Sequence, residues 1–247
     1  MRKQYASPPV YEVLAELRFP DDTPWDIAVP GLIYERIKER FPERRERVAE
    51  EGIVLISAGE LQQPRTTTIA LFYTKDFRGI VQVGPRLLVI NKLRPYGGWE
   101  QFSEYLRCAL DALDAVVSPE RLEALSLRYI NVLEIEEEPS RLNSYLNFRP
   151  EFEHVVTGEP TRFAMACEFA TKNGRDACRI RINGERHAED EPVYILLDLQ
   201  CELIRREEVE PKNALHWLEE AHEELSALFE ACITDRLRET FQGENKR

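Results

Sequence analysis

The stretch SLRYINVLEI (126–135) alternates apolar and polar residues with the period of two that is typical of a half-buried strand. Asn131 falls in the apolar phase of this strand, whereas Arg128 falls in the polar phase. A buried amide without partners costs about 1–3 kcal/mol, so we expect Asn131 to be hydrogen-bonded or to lie at a β-bulge. Asn91 sits similarly in LLVINKL. For both residues, a structural role is favoured over contact with a ligand.

The N-terminal part of the chain predicts a strand, a helix, four strands and a second helix. VYEVLAELRF (10–19) alternates as a half-buried strand does, and a helix with an apolar face follows it and ends near Pro42. The residues of that face are Leu32, Ile33, Ile37 and Phe41. Four short segments, which we expect to form an antiparallel meander, are GIVLISAG (52–59), TTTIALFYT (66–74), GIVQVG (79–84) and RLLVINKL (86–93). The second helix ends at Ser118 and has a buried stripe of Trp99, Phe102, Leu106, Leu110, Leu113 and Val117.

The C-terminal part starts the same order again. LEALSLRYINVLEI (122–135) is its first strand, and the polar segment 136–148 carries one or two helical turns. The further strands are FEHVV (152–156), RFAMACEFAT (162–171), ACRIRING (177–184) and VYILLDLQCELI (193–204). A long amphipathic helix over 213–241 closes the chain. Its buried stripe is Trp217, Leu218, Ala221, Leu225, Leu228, Phe229, Cys232, Leu237 and Phe241.

Both parts, residues 1–118 and 119–247, therefore follow a similar β-α-β4-α order. Each long helix follows the last strand of its part and must cover one face of the sheet, which predicts an α+β fold with an open antiparallel sheet. This order is similar to the helix-grip or TATA-binding-protein-like arrangement, in which two such halves join into one curved sheet. A fold of this kind does not define a function by itself.

The composition indicates a globular protein without a membrane span. Of 247 residues, 43% are hydrophobic, which is enough apolar side chain for a sizeable core. No apolar run approaches the roughly 20 residues that cross a bilayer, and the start MRKQYASPPV lacks the apolar segment of a signal peptide. The five cysteines are scattered and form no C-x-x-C pair. We therefore expect reduced, mostly buried thiols without a disulfide, in a cytoplasmic protein.

Motifs for catalysis or metal binding are absent from the sequence. Neither G-x-x-x-x-G-K nor G-x-G-x-x-G occurs. His216 and His222 are six residues apart on the predicted last helix, so they point to different faces and cannot share a metal as an i, i+4 pair would. We expect these two histidines, His154 and His187 to be ordinary surface or boundary residues. We also expect core packing for the cysteines, no catalytic residue, no metal and no cofactor.

The net charge of −12 argues against general nucleic-acid binding, because proteins that bind nucleic acids mainly through phosphate contacts carry a basic surface. The most basic stretch, ERIKERFPERRERVAEE (35–51), interleaves Glu with Arg and Lys. That pattern is more typical of a solvated helix face than of a track for phosphates.

The polar phase of the strands offers the best candidate for a binding surface. If the helices cover the apolar side, the polar residues decorate the open face of the sheet. The candidate binding residues are Glu16, Arg18, Arg128, Arg179, Arg181 and Asp198. A solvated sheet with cross-strand ion pairs, each worth about 0.2–1 kcal/mol, explains the same pattern without a ligand.

The arginines are the best anchors for an acidic ligand or partner, because their forked donors meet a carboxylate or phosphate with two bonds. We expect them to project from the same side of the sheet as Asp198. Replacement of Arg128 and Arg181 by Ala should then cost little stability, since exposed ion pairs contribute little.

Two functions stay open at this point. The first is a non-catalytic binding or regulatory protein that holds a protein partner on its open sheet face. The second is an enzyme or small-ligand carrier with a pocket between the sheet and the long helices, lined by aromatic residues such as Trp25, Trp99, Tyr129 and Trp217. A ligand-sized cavity with convergent Arg and Asp side chains would favour the second, and a filled core with an exposed sheet face would favour the first.

Three stretches carry a resemblance to a known family: SPPVYEVLAELRF (7–19), PGLIYERIKERFP (30–42) and LRYIN (127–131). Together they resemble a sporadically distributed, uncharacterised prokaryotic protein family, with similarity over most of the chain. The resemblance implies no activity and no catalytic residues. A patchy distribution is typical of mobile or defence-linked genes, so the resemblance points to a defence-linked role. In such a role, an acidic binding protein could neutralise a basic toxin or regulate a partner.

Overall fold

The structure, a computed structural model, describes residues 5–51, 65–135, 142–147, 162–185 and 193–242. The strands in these ranges are Val10–Arg18 (β1), Glu43–Glu51 (β2), Arg65–Tyr73 (β3), Gly79–Gly84 (β4), Leu87–Leu93 (β5), Ala124–Ile135 (β6), Arg162–Thr171 (β7), Asp176–Glu185 (β8) and Val193–Leu203 (β9). The α-helices are Val29–Ile37 (α1), Trp99–Val116 (α2), Leu142–Tyr145 (α3), Ala214–Cys232 (α4) and Asp235–Thr240 (α5). None of the described helices is long and apolar enough to span a membrane.

The described strands form one nine-stranded antiparallel sheet in the order β2-β3-β4-β5-β1-β6-β9-β8-β7. The predicted α+β class with an open antiparallel sheet is thereby confirmed. β1 and β6 lie next to each other near the centre, where Val13 opposes Tyr129 and Ala15 opposes Leu127. The outer neighbours of this central pair are β5 and β9.

The main core lies between one face of the sheet and helices α1, α2 and α4. On β1, Val13, Ala15 and Leu17 are almost fully buried, while the residues between them are partly exposed. The helices contribute residues at helical spacing to the same core, among them Ile33, Ile37, Phe102, Leu106, Trp217, Leu218 and Leu225. One phase of the strand alternation therefore defines the helix-covered face, and the other phase defines the open face.

Most predicted strands agree with the structure. The predictions are confirmed for VYEVLAELRF, TTTIALFYT, GIVQVG, RLLVINKL, LEALSLRYINVLEI, RFAMACEFAT, ACRIRING and VYILLDLQCELI, with ends that differ by at most about two residues. The predicted strands GIVLISAG (52–59) and FEHVV (152–156) lie outside the described residues. The short helix α3 falls in the polar segment where one or two turns were expected.

The prediction of a solvated helix face over 35–51 is wrong for residues 43–51, which form the edge strand β2. Pro42 separates this strand from the end of α1 because proline cannot continue a helix. The whole strand pairs with β3. Charged residues on an edge strand are a common protection against pairing with other chains, so the charges suit an edge as well as a helix surface.

The predicted C-terminal helix is interrupted. α4 ends at Cys232, Ile233 has an extended backbone and bridges to Leu146, and α5 starts after Thr234. The Thr234 side chain accepts a hydrogen bond from the backbone N–H of Leu237, which caps the N-terminus of α5. Threonine at an N-cap is a start signal for a new helix, and the continuous apolar stripe concealed it.

The alternation predicts a polar open face, but part of this face is apolar. Ile69, Leu71, Leu87 and Val89 form a second cluster of buried residues, with Leu14 and Tyr73 packed against it. Register pairs Val89 with Glu16, so this cluster lies on the open face. Strands β3 and β5 carry apolar residues in both phases, and for this reason the pattern could not assign their faces.

We predict that Leu127→Ala lowers the free energy of unfolding by about 2–5 kcal/mol, because this fully buried side chain would leave a cavity in the main core. The matched control is Leu196→Ala on the open face, where the leucine is 36% exposed and its loss should cost less than about 1 kcal/mol. Urea unfolding of the two variants measures the difference. Equal losses would contradict the assignment of the two faces.

Candidate functional site

Strand register brings four of the six candidate residues together. Arg128 of β6 and Arg179 of β8 both oppose Gln200 of the intervening strand β9. Asp198, two residues earlier on β9, opposes Arg181 of β8. All five side chains occupy the open-face phase, as the alternation predicts.

Asp198 lies between two arginines. Arg128 donates two hydrogen bonds to its carboxylate, from Nε to Oδ1 at 2.7 Å and from Nη2 to Oδ2 at 2.8 Å. Arg181 donates a longer bond to Oδ2, at 3.4 Å. Two guanidinium groups thus share one carboxylate, and the three side chains carry one excess positive charge.

The burial of Asp198 differs from the expectation for an open face. The residue is 3% exposed, whereas the Arg128 and Arg181 side chains keep 34% and 39% of their surface in water. The hydrogen bonds to Asp198 raise the pKa of Arg128. The premise of exposed ion pairs therefore does not hold for Arg128 and Arg181, and we now expect their joint replacement by Ala to cost stability, because Asp198 would lose both of its partners.

The other candidates form local ion pairs. Arg179 binds Glu168 of β7, with Nη2 and Oε2 2.5 Å apart, and both side chains are partly exposed. Glu16 and Arg18 of β1 pair with each other at 2.6 Å on the same face. The register places one strand between this last pair and Asp198: Glu16 opposes Ser126, which is two residues before Arg128 on β6. Exposed pairs of this kind contribute little to stability.

A chain of hydrogen bonds continues the arginine cluster across the open face. Arg47 of β2 donates to Gln82 of β4 at 3.2 Å, and Gln82 donates to Asn91 of β5 at 2.9 Å. Asn91 in turn donates to Glu12 of β1 at 2.6 Å. The Glu12 carboxylate also favours the charged form of Arg128. We call this set the polar belt: Arg47, Gln82, Asn91, Glu12, Arg128, Asp198 and Arg181.

The two asparagines of uncertain role lie on opposite faces. Asn91, which looked similar to Asn131 in the sequence, belongs to the polar belt and bonds through both ends of its amide. Asn131 is buried on the helix-covered face and donates to the carbonyl of Leu197 at 3.1 Å. Its partner strand has a β-bulge between Val10 and Glu12, so Asn131 is both hydrogen-bonded and beside a bulge, as predicted.

Sequence reasoning missed Arg47 and Gln82 as members of the belt. Gln82 falls in the same phase of β4 as the open-face residues of its neighbours, which is a usable signal. Arg47 lay in a segment that was predicted to be helical, so its face was not considered. Hydrogen bonding between them depends on the strand register, which no local pattern encodes.

His222 is buried rather than a surface residue, which corrects the expectation for this histidine. Its Nδ1 atom lies 2.9 Å from the hydroxyl of Tyr129, and its ring stacks on Trp99 with centroids 4.1 Å apart. The Tyr129 hydroxyl also lies 3.1 Å from that of Tyr96. These contacts join α4 to β6 and to the start of α2. Two of the aromatic residues proposed as pocket lining are thus packed against a histidine.

The described cavity between the sheet and the long helices is small. A cavity of about 170 Å³ lies between α2 and the start of α4, with Arg107 and Asp111 in its lining. Ligand pockets usually span about 300–1,000 Å³. A larger hollow of about 510 Å³ lies instead at the ends of β7, β8 and β9, and none of its lining residues belongs to α2 or α4.

One group of side chains has the composition of a metal site within the described part of the chain. Cys178 of β8, Cys201 of β9 and Glu224 of α4 bring their ligand atoms within 4.8 Å of one another. This group lies on the helix-covered face, apart from the polar belt. Sequence reasoning missed this group because the two cysteines are 23 residues apart.

Comparison with known proteins adds no relative. No protein-family model matches the chain, and no curated protein matches it in sequence. The resemblance of the three stretches to a prokaryotic family stays a prediction.

We predict that Asp198→Asn lowers the free energy of unfolding by about 3 kcal/mol, the lower end of the cost of breaking a buried pair, because the arginines keep a third of their surface in water. The control is Glu168→Gln, which removes the exposed partner of Arg179 and should cost less than about 1 kcal/mol. Both changes remove one negative charge. Similar unfolding midpoints in urea would mean that Asp198 is not the buried centre of the cluster.

Proposed function

We propose that the protein is a non-catalytic binding or regulatory protein whose open sheet face receives an acidic segment of a protein partner. The observation that supports this proposal is the sharing of one buried carboxylate, Asp198, by Arg128 and Arg181. Two guanidinium groups offer ten N–H donors, and one carboxylate has about four acceptor positions. The surplus of donors suits a further carboxylate, in addition to Glu12, whose charge already acts on Arg128.

Rigidity of the cluster supports a binding role. Asp198 holds Arg128 through two bonds, and the sheet holds Asp198 from both neighbouring strands. A pre-positioned arginine loses less conformational entropy when a ligand binds, which leaves more of the interaction energy as affinity. Arg179 and Gln200 lie beside the cluster and extend the row of polar groups across three strands.

The charge of the whole chain favours a short acidic segment over a long polyanion. The net charge is −12, so the positive cluster is a local exception on an acidic protein. Exposed charges are screened over about 8 Å at physiological ionic strength, which lets a short segment bind locally. A nucleic acid would extend beyond the cluster onto acidic surface, and we therefore do not propose nucleic acid as the ligand.

The alternative function, an enzyme or small-ligand carrier with a pocket beneath the long helices, has less support. The described cavity there is about 170 Å³, and Tyr129 and Trp217 are buried in the core. The proposed link to a defence or toxin–antitoxin system rests on the family resemblance and on the acidic net charge.

We also propose that the fold is an internal duplication of the helix-grip or TATA-binding-protein-like kind, with halves 1–118 and 119–247. Read outward from the centre, the strand order is β1-β5-β4-β3-β2 on one side and β6-β9-β8-β7 on the other. In each half, the first strand is central and the last strand pairs with it. This matching order supports the duplication, and FEHVV, the first of the four strands predicted after β6, lies outside the described residues.

We predict that the double variant Arg179→Ala/Arg181→Ala weakens capture of the partner about tenfold, since losing hydrogen bonds to a charged group costs about 1.5–3 kcal/mol. Arg128 remains bound to Asp198 in this variant, so its melting temperature should stay close to that of the original protein. The measurement is affinity purification of the tagged protein from the cells that make it, with quantitative mass spectrometry of what co-purifies.

The matched control is Arg121→Ala/Lys212→Ala, which removes the same charge from exposed positions outside the sheet. Partners that are retained by the control and depleted in the Arg179/Arg181 variant support the proposal, and their acidic segments can then be tested as peptides. Equal retention by both variants, with both still folded, would place the interaction elsewhere.

A further inference from the structure

Two buried thiols and a carboxylate converge beneath α4. Cys178 and Cys201 are directly opposed on β8 and β9, both are 0% exposed, and their Sγ atoms are 2.9 Å apart. Glu224 of α4 places its Oε2 atom 3.3 Å from the Sγ of Cys178. Adjacent strands and a helix thus supply three potential ligands from separate elements.

Neighbouring groups orient the carboxylate of this cluster. Thr171 donates from its hydroxyl to Oε2 of Glu224 at 2.9 Å, and Lys172 lies 3.5 Å from Oε1. Contacts of this kind commonly hold a metal-ligating carboxylate in position. The Glu224 side chain is 23% exposed, so the cluster can be reached from the surface although the thiols are enclosed.

We propose that Cys178, Cys201 and Glu224 bind a thiophilic divalent metal ion, with Zn²⁺ as the physiological candidate. Thiolate and carboxylate are both zinc ligands, and a site with three protein ligands leaves a fourth position for water or another ligand. The composition of two thiols and one carboxylate also selects against Mg²⁺ and Ca²⁺, which prefer oxygen ligands.

The distances suit this assignment after a small adjustment. Zinc–sulfur bonds of about 2.3 Å in a tetrahedral site place two sulfurs about 3.8 Å apart and a sulfur and an oxygen about 3.5 Å apart. The Sγ–Oε2 distance of 3.3 Å is already close to that value. The two Sγ atoms need to separate by about 0.9 Å, which rotation about the Cα–Cβ bonds can supply.

Metal binding to this cluster should release protons from the two thiols. In the metal-free cluster, the hydrogen bond to Cys178 and burial raise the pKa of Cys201, so its thiol is protonated at neutral pH. Binding as thiolates releases the thiol protons, and the two thiolates, Glu224 and Lys172 then total −2 against the +2 of the ion. Metal binding should therefore weaken as the pH falls.

The test is a titration of reduced, chelator-treated protein with Cd²⁺ under anaerobic conditions, followed by the ultraviolet charge-transfer absorption of cadmium thiolates. We expect saturation at one ion per chain and the same stoichiometry for Zn²⁺ by competition. Glu224→Gln keeps both thiols and changes only a partly exposed helix residue. The affinity of this variant for Cd²⁺ should be lower than that of the original protein by about tenfold or more. Cys178→Ala and Cys201→Ala should each lose most of the absorption.

The control is Cys232→Ala, which removes another buried thiol and should leave the titration unchanged. Circular dichroism checks that each variant is folded, and Glu224→Gln keeps the test decisive if a cysteine variant is not. Three results would overturn the assignment: no absorption with the original protein, equal affinity in Glu224→Gln, or a signal that depends on Cys232. A Cys178–Cys201 disulfide in protein purified from the cytoplasm without added oxidant or reductant would overturn it as well.

Discussion

The antiparallel pairing of β1 with β6 is the contact on which the rest of the molecule depends. It joins the strands β5 to β2 and the strands β9 to β7 into one sheet, and it fixes which phase of each central strand faces the helices. Because every neighbour is aligned by register, the faces of the outer strands follow from this pair. The residues of the polar belt that lie on β1 and β6 occupy the opposite phase to the residues that pack against the helices. Glu12 and Arg128 face away from the helices because Val13 and Leu127 face toward them.

Asp198 shows that a residue on an open sheet face need not be exposed. Long side chains from both neighbouring strands enclose it, so its carboxylate leaves water and must be paired. Stability and recognition are therefore coupled at this point of the surface. The same ion pairs that stabilise the fold also hold the arginines where an acidic group can reach them, and the cluster cannot be dismantled without cost to the sheet.

The sequence predicted the sheet well and the local interruptions poorly, for identifiable physical reasons. GIVQVG and RFAMACEFAT match β4 and β7 residue for residue, because turn residues bound the one and alternation marks the other. β2 was missed because alternating charges look alike on a helix surface and on an edge strand. The break at Thr234 was hidden by an apolar stripe that continues across it. Of the candidate site, the phase of Arg128, Arg179 and Arg181 was predictable, whereas the burial of Asp198 and the convergence of Cys178 with Cys201 depend on register and on the placement of α4.

Because of the β-bulge in β1, the effect of deleting one residue depends on where in this strand the residue lies. Val10 and Glu12 oppose consecutive residues of β6, so Tyr11 is the extra residue of the bulge. Loss of Tyr11 would leave a regular ladder in which Val10 still faces the core and Glu12 still faces the belt. Loss of any residue between Val13 and Arg18 would exchange the two faces on one side of the deletion, placing carboxylates beneath the helices. Tyr11 is therefore the residue of β1 whose removal keeps both faces of the strand in place.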